Sequence, residues 1–256
     1  MAEREHPPEE TVLQTDVEQG TRGLYDRERA IVERHFTDRD GRVLDLGCGS
    51  GRATAGLAEY GFDVVGVDRC EESVATAEDR HPDLTFEVDN ATNLDFPPES
   101  FDYVLFAGGG MDEIRPESDR ARATLEAWRV LKQGGVFAFD SDNIVDRFLF
   151  DPTSRDDWAS LRRFVGRNRG GHRVTSRYAW VERDGGLDFR YAIDPHSQRR
   201  RLEDVGFDVV DVVQRSETRF RPVTFEPRPY YVVRKGPDQE RTPERRTRSG
   251  YLEERH

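Results

Sequence analysis

Lysine is nearly missing from this chain: of 39 lysines and arginines, only Lys132 and Lys235 are lysine. Cysteine is as scarce. Cys48 and Cys70 are the only two, which excludes a disulfide framework and leaves no thiolate set for a structural zinc, so no metal site is expected. No apolar run approaches the roughly 18 residues that a membrane span needs. The N-terminus is acidic and polar, without the apolar core of a signal peptide, so a cytoplasmic, membrane-free protein is expected. What is abundant is acid: 51 Asp and Glu give a net charge of −12 in a chain that is 35% charged and 35% hydrophobic. Acid-rich, lysine-poor surfaces resemble those of halophilic proteins, whose carboxylates keep the chain solvated at high salt. Codon bias in a GC-rich genome is the alternative; it accounts for the arginine but not for the acid excess.

At 256 residues the chain is expected to form one large domain, or one domain with an insertion. Residues 1–20, rich in Glu and Pro, are expected to be disordered, as is the charged tail 236–256, which flanks a domain at 21–235. A helical repeat covers Tyr25–Phe36, and strand and helix then alternate. The strands expected are Arg42–Leu46, Asp63–Val67, Leu84–Val88, Phe101–Ala107 and Gly135–Asp140; the helices are Arg52–Tyr60, Glu71–Arg80 and Glu117–Leu131. Near-continuous apolar strands separated by helices imply a doubly wound, Rossmann-like α/β sheet, mainly parallel and covered on both faces. From 143 to 195 the rhythm breaks. That insertion offers a helix near Trp158–Phe164 and two strand-like runs, Arg173–Val181 and Leu187–Ile193, joined at Asp184-Gly185-Gly186. The rhythm resumes with a helix through Leu202 stopped at Gly206, a strand at Phe207–Val213 and a last one at Tyr230–Arg234.

The stretch Val43-Leu44-Asp45-Leu46-Gly47-Cys48-Gly49-Ser50-Gly51 is an apolar strand running into a turn with three alternate glycines. Glycines there permit positive φ and close approach of a ligand to the main chain. The following helix points unpaired N–H groups at the turn, as a nucleotide-like cofactor requires. Three strand ends converge on it. Asp68, followed by Arg69, stands where a carboxylate can accept from both ribose hydroxyls. The corner Asp89-Asn90-Ala91 can read an adenine edge, and Phe106-Ala107-Gly108-Gly109-Gly110 makes an open, flexible turn at the same edge of the sheet. A dinucleotide fold would place its third glycine at Arg52; here it comes one residue early, at Gly51. Taken singly, Asp68 can also be a solvated strand end, whereas Cys48 reads first as a small packing residue and Asp102 as a structural cap at its strand.

With these residues in view, the chain resembles the class I S-adenosylmethionine-dependent methyltransferases over roughly 24–142 and 195–235. The resemblance rests on Asp45-Leu46-Gly47-Cys48-Gly49-Ser50-Gly51, Asp68, Asn90-Ala91, Phe101-Asp102-Tyr103-Val104, Arg129-Val130-Leu131-Lys132-Gln133-Gly134-Gly135 and Leu202-Glu203-Asp204-Val205-Gly206-Phe207. It implies seven strands with an antiparallel last one, a small lid built from the insertion, and S-adenosyl-L-methionine as methyl donor. It also implies that Asp45, Gly47, Gly49 and Gly51 hold the methionine end, Asp68 the ribose and Asn90-Ala91 the adenine, with the Phe106 and Ala107 carbonyls beside the sulfonium. Asn90 stands where the family usually has Asp, so either Asn90 or the preceding Asp89 reads the adenine.

Methyl transfer from a sulfonium is an in-line displacement with a good leaving group, so positioning can replace a committed base. No triad is present, and the catalytic residue is left open among Tyr25, Met111, Asp112, Glu113, Asp142 and Asn143, each of which reads first as packing or surface. Ala107-Gly108-Gly109-Gly110 lacks the Asn/Asp-Pro-Pro-aromatic run that enzymes acting on base amines carry at this place. A small-molecule acceptor at O, N or C is therefore expected. The arginines of the insertion, Arg155, Arg162, Arg163, Arg167, Arg169, Arg173 and Arg177, point to an anionic acceptor, to RNA, or to a solvated helix face. The aromatics among them, Trp158, Phe164, Tyr178 and Trp180, read as a small core sooner than a stacking platform. A cofactor-binding protein without turnover is the third reading.

Overall fold

The computed structural model describes residues 23–145, 154–169, 176–183, 186–214, 224 and 226–236. The expectations for 1–20 and for the tail beyond 236 fall outside these residues, as do Arg173 and the Asp184-Gly185 turn. The first helix, α1 (Asp26–His35), precedes a run of strand and helix: β1 (Arg42–Leu46), α2 (Arg52–Glu59), β2 (Asp63–Asp68), α3 (Glu71–Arg80), β3 (Thr85–Val88) and β4 (Phe101–Phe106). There follow α4 (Gly110–Glu113), α5 (Glu117–Val130), β5 (Leu131–Asp140), α6 (Arg155–Asn168), β6 (Tyr178–Arg183), β7 (Gly186–Tyr191), α7 (Pro195–Val205), β8 (Phe207–Val213) and β9 (Tyr230–Lys235).

Seven of the strands form one sheet in the order β3-β2-β1-β4-β5-β9-β8. β1 to β5 pair in parallel, while β9 runs antiparallel to both β5 and β8. Period-two alternation along each strand divides the core between two faces. Val43, Val64, Leu105 and Ala138 pack with Ile31 and Val32 of α1 and Leu57 of α2. Their neighbours Leu44, Val65, Val104 and Phe137 pack with Ala123 and Ala127 of α5 and Leu202 of α7. That two-sided burial is why the strands read as continuous apolar runs. Asp102 is a fastener, accepting from Arg42 N at 2.9 Å and pairing with Lys132 at 2.8 Å.

Three local expectations are corrected. β5 begins at Leu131, directly off α5, and not at Gly135: Leu131 pairs with Phe101, the register slips, and pairing resumes at Tyr103–Val136. Gly134, at φ +77°, takes up that slip inside the strand. β3 starts one residue late, at Thr85. The turn after β4 is not open: Gly109, at φ +79°, starts the one-turn helix α4, and its N–H is held by Asp140 Oδ1 at 2.9 Å.

Between β5 and α7 lie α6 and the antiparallel hairpin β6–β7. Asn168 joins them, its amide donating to Trp180 O and its oxygen accepting from Trp180 N. Phe189 sits between Tyr178 and Trp180, with ring centroids 5.9 and 5.1 Å away, in a ring cluster that is half-buried. Trp158 stays outside it, 42% exposed.

Candidate functional site

The sheet order reverses direction between β1 and β4, which places a crevice at their carboxyl ends. The glycine turn lies there. Gly47 N and Cys48 N both donate to Val67 O, at 2.7 and 2.9 Å, and Gly51 N closes the turn on Cys48 O. Gly47, Gly49 and Gly51 stand at φ +71°, +53° and +87°, where L side chains are strained. Gly47 is exposed, and a Cβ on it would stand 2.6 Å from Phe106 Cε2. Gly51 caps α2 in the left-handed conformation, and its Cβ would meet His81 and Phe86 at 2.9 Å. Cys48 is 7% exposed and packs with Val74, Ala77 and Phe86, so it fills space beneath the turn.

Asp68 splints this turn to β2. One carboxylate oxygen accepts from Gly49 N at 3.0 Å and the other from Cys70 N at 2.9 Å. The half-buried side chain keeps acceptor capacity on both oxygens. Arg69 beside it is exposed. Asp45 lies under the turn, 1% exposed, and takes the Thr54 hydroxyl at 2.6 Å. Burial pushes its carboxyl up to about 6. At the third corner, Asp89 accepts from Asn90 N at 2.6 Å and Asp95 N at 2.9 Å. The Asn90 side-chain oxygen accepts from Thr92 N and its hydroxyl, leaving the amide N–H groups of exposed Asn90 facing outward. Both candidates for the adenine are thus engaged in building their own corner. Phe106 is buried under the turn and Ala107 is half-buried beside it.

Across the crevice, the tips of β4 and β5 carry an ion network that the sequence analysis only partly foresaw. Asp142 is gripped on both oxygens, by Arg228 Nε at 2.7 Å and Arg190 Nε at 3.1 Å. Arg190 comes from β7, and it also reaches Gly109 O at 2.7 Å and Glu113 at 3.0 Å. Asp112 is fully buried and takes Arg120, the Ser141 hydroxyl and Asp142 N. Burial, with the Asp142 charge nearby, pushes its carboxyl up. Asn143 donates to the Thr224 and Glu226 carbonyls, so it ties the lead-in to β9 and offers nothing to a reacting atom. Met111 is buried core. Tyr25 stacks on Arg52 at 3.9 Å, and Arg52 pairs with the buried Glu28 at 2.7 Å. Arg190 and Arg228 were missed because their partners lie far along the chain. Asp140 carried a legible signal, since it ends its apolar strand just as Asp68 does. Of the insertion's arginines only Arg190 joins this network among the described residues: Arg155, Arg162, Arg163, Arg167 and Arg169 are exposed, and Arg177 pairs with Glu117 at 3.0 Å.

Among the described residues no group of histidine, cysteine and carboxylate side chains has a metal-holding arrangement, and no helix is long and apolar enough to cross a membrane. The residues do fit a nucleoside-bearing cofactor: a cradle that a Cβ would fill at Gly47, and a carboxylate with spare acceptors at its rim.

Comparison with known proteins points the same way. Residues 43–135 match the methyltransferase domain family. A demethylmenaquinone methyltransferase of Beutenbergia cavernae is 40% identical over 94 residues, covering 37% of this chain and 38% of that protein. A 2-methyl-6-phytyl-1,4-hydroquinone methyltransferase of Synechocystis is 40% identical over 141 residues, covering 48% and 43%. The chain therefore spans about half, or less, of the curated relatives it matches. In structure, a SAM-dependent methyltransferase of Methanosarcina mazei superposes with a TM-score of 0.63 over 84% of this chain and 99% of its own, at 21% identity, which shows the shared fold.

Proposed function

We propose, from the premise that residues 43–135 are a methyltransferase domain in the S-adenosylmethionine-dependent methyltransferase fold, that this chain methylates a small-molecule acceptor. The observation that carries the reading is the glycine turn splinted to Asp68 at the β1–β4 crevice. S-adenosylmethionine supplies the methyl group and a neutral sulfide leaving group. Gly47, Gly49 and Gly51 leave the main chain open to its methionine end, with Asp45 beneath. Asp68 offers acceptors to the ribose, and Asn90-Ala91, stiffened by Asp89, borders the adenine. Cys48 and Arg69 shape the turn and its rim, and Phe106 and Ala107 form the floor toward the acceptor.

The acceptor side is read as the space faced by α4, the tip of β5 and the β6–β7 hairpin, with the insertion serving as lid. Arg190 and Arg228 hold Asp142 between them, so its carboxylate serves to position that wall and is not free to take a proton. Methyl transfer is accordingly read as catalysis by alignment, in which holding the reacting atoms about 3 Å apart does most of the work. The relatives named for demethylmenaquinone and for a phytyl-hydroquinone support an aromatic hydroquinone-type acceptor bearing an apolar tail. A cytoplasmic enzyme of a salt-rich cell completes the reading, supported by two free cysteines and the acid-rich composition. The test is titration calorimetry with S-adenosylhomocysteine, followed by a methyl-transfer assay on a panel of hydroquinones. Micromolar binding with S-adenosylhomocysteine formed only in the presence of a hydroquinone is expected. Tight binding with no turnover across the panel overturns the enzymatic reading.

A further inference from the structure

The outer face of α6 differs in chemistry from the rest of a chain whose net charge is −12. Arg155, Arg162, Arg163 and Arg167 recur at i, i+7, i+8 and i+12, which a 3.6-residue repeat gathers on one side, and all four are exposed; the same repeat places one acid, Asp156, in that arc, so arginine outnumbers acid there four to one. Arg169 continues the row beyond the helix end, also exposed. The other side of the helix meets the β6–β7 hairpin through Asn168, which is fully buried and bonded to both backbone groups of Trp180. Trp158, one turn before Arg162, sits at the margin of the arginine face and is 42% exposed.

We propose that this face of α6 docks the protein on an anionic lipid surface. The inference rests on the reading of a hydroquinone-type acceptor with an apolar tail, because such a molecule partitions into bilayers and must be met there. Three physical points carry it. Guanidinium groups bind phosphate through paired, short N–H···O contacts, and such contacts outlast salt that screens long-range fields. An indole at the edge of a basic face matches the headgroup level of a bilayer, where one end of the ring is dry and the other wet. Finally, the net charge of −12 opposes approach by the acid-rich parts of the molecule, so a basic face biases the orientation. RNA phosphates would attract the same arginines. Ala107-Gly108-Gly109-Gly110 at the tip of β4 disfavours chemistry on base amines, so the lipid surface is the occupant argued for.

The experiment uses the full chain and sedimentation with vesicles of phosphatidylcholine alone or mixed with phosphatidylglycerol. Binding to the mixed vesicles is expected, with a blue shift of emission that Trp158→Phe abolishes. The double variant Arg162→Glu/Arg163→Glu should bind them at least about tenfold more weakly, since each basic residue near the surface contributes on the order of 1 kcal/mol. Its S-adenosylhomocysteine affinity should be unchanged, which also certifies that it folds. No binding to mixed vesicles, equal binding by the double variant, or stronger binding to a structured RNA than to the vesicles overturns the proposal. Failure here with intact S-adenosylhomocysteine binding and turnover leaves the enzymatic reading standing. Vesicle binding by a protein that ignores S-adenosylhomocysteine would remove the enzymatic reading instead.

Discussion

Each oxygen of Asp68 accepts one main-chain N–H, from Gly49 and from Cys70, and each has a lone pair left for a ligand hydroxyl. Asp68→Ala removes the splint and the ribose acceptors together. Hydrogen bonds to a charged group contribute about 1.5–3 kcal/mol, so S-adenosylhomocysteine affinity should fall roughly 10- to 100-fold by calorimetry, far more than for Cys48→Ala. The reverse order would falsify the role given to Asp68. Gly47→Ala should weaken the same binding and lower Tm, because its Cβ would lie 2.6 Å from the Phe106 ring at a φ of +71°; a protein indifferent to that change has no closed cradle there. Asp45 makes a pH prediction. Its carboxyl is raised from 3.8 to about 6 by burial, so between these values the folded state keeps a proton that the unfolded chain has lost. Stability is therefore fullest below about pH 4 for this group and declines as pH rises to about 6, by about 3 kcal/mol at roughly 1.4 kcal/mol per pH unit. Asp45→Asn should flatten that decline in urea titrations run from pH 4 to 7; an unchanged slope assigns it elsewhere. The placement of Asp45, the glycines and Asp68 was legible because all lie within one strand–turn–helix–strand step of sequence. The roles of Asp89 and Asn90 were not: the Asn90 side-chain oxygen is taken twice by Thr92, while Asp89 accepts one main-chain N–H on each oxygen, as Asp68 does.

Among the elements, the hairpin β6–β7 is tied to the rest of the domain by buried Tyr191, under Arg120 and bonded to Arg201, and by Arg190. Arg190 reaches the Gly109 carbonyl on the turn after β4, Glu113 on α4 and Asp142 at the end of β5. Gly109 permits this: a Cβ there would run into Arg190 and would stand 2.7 Å from Arg228 Nη2. Gly109→Ala should therefore release the hairpin. Hydrogen exchange should quicken in β6 and β7 while β1, β2 and the glycine turn stay protected, and a uniform loss of protection would instead mean general unfolding. Strand and helix periods were readable wherever both faces of a strand were buried. The one-turn helix α4 and the bulge at Gly134 were not, because neither contains a full period and both are imposed by partners, Asp140 in one case and Phe101 in the other.

For the whole molecule, a net charge of −12 implies self-repulsion in the folded state at low salt. Screening relieves it: the Debye length falls from about 10 Å at 0.1 M to about 3 Å at 1 M. Tm should rise when KCl is raised over that range, and a Tm that is flat or falls would overturn the reading of a salt-adapted surface. The same charge balance makes the arginine face of α6 conspicuous, and sequence alone could count those arginines without saying which way they faced. By itself the sequence determined the strand–helix alternation, the two-faced sheet and the glycine turn with its strand-end carboxylate, because periodicity, glycine and a carboxylate at a strand end are local signals. Only the tertiary structure decided what stands across the crevice from that turn. Arg190, Arg228, Asp142 and Asp112 come from segments up to 116 residues apart, and buried charges reveal their function only through the partners that neutralise them.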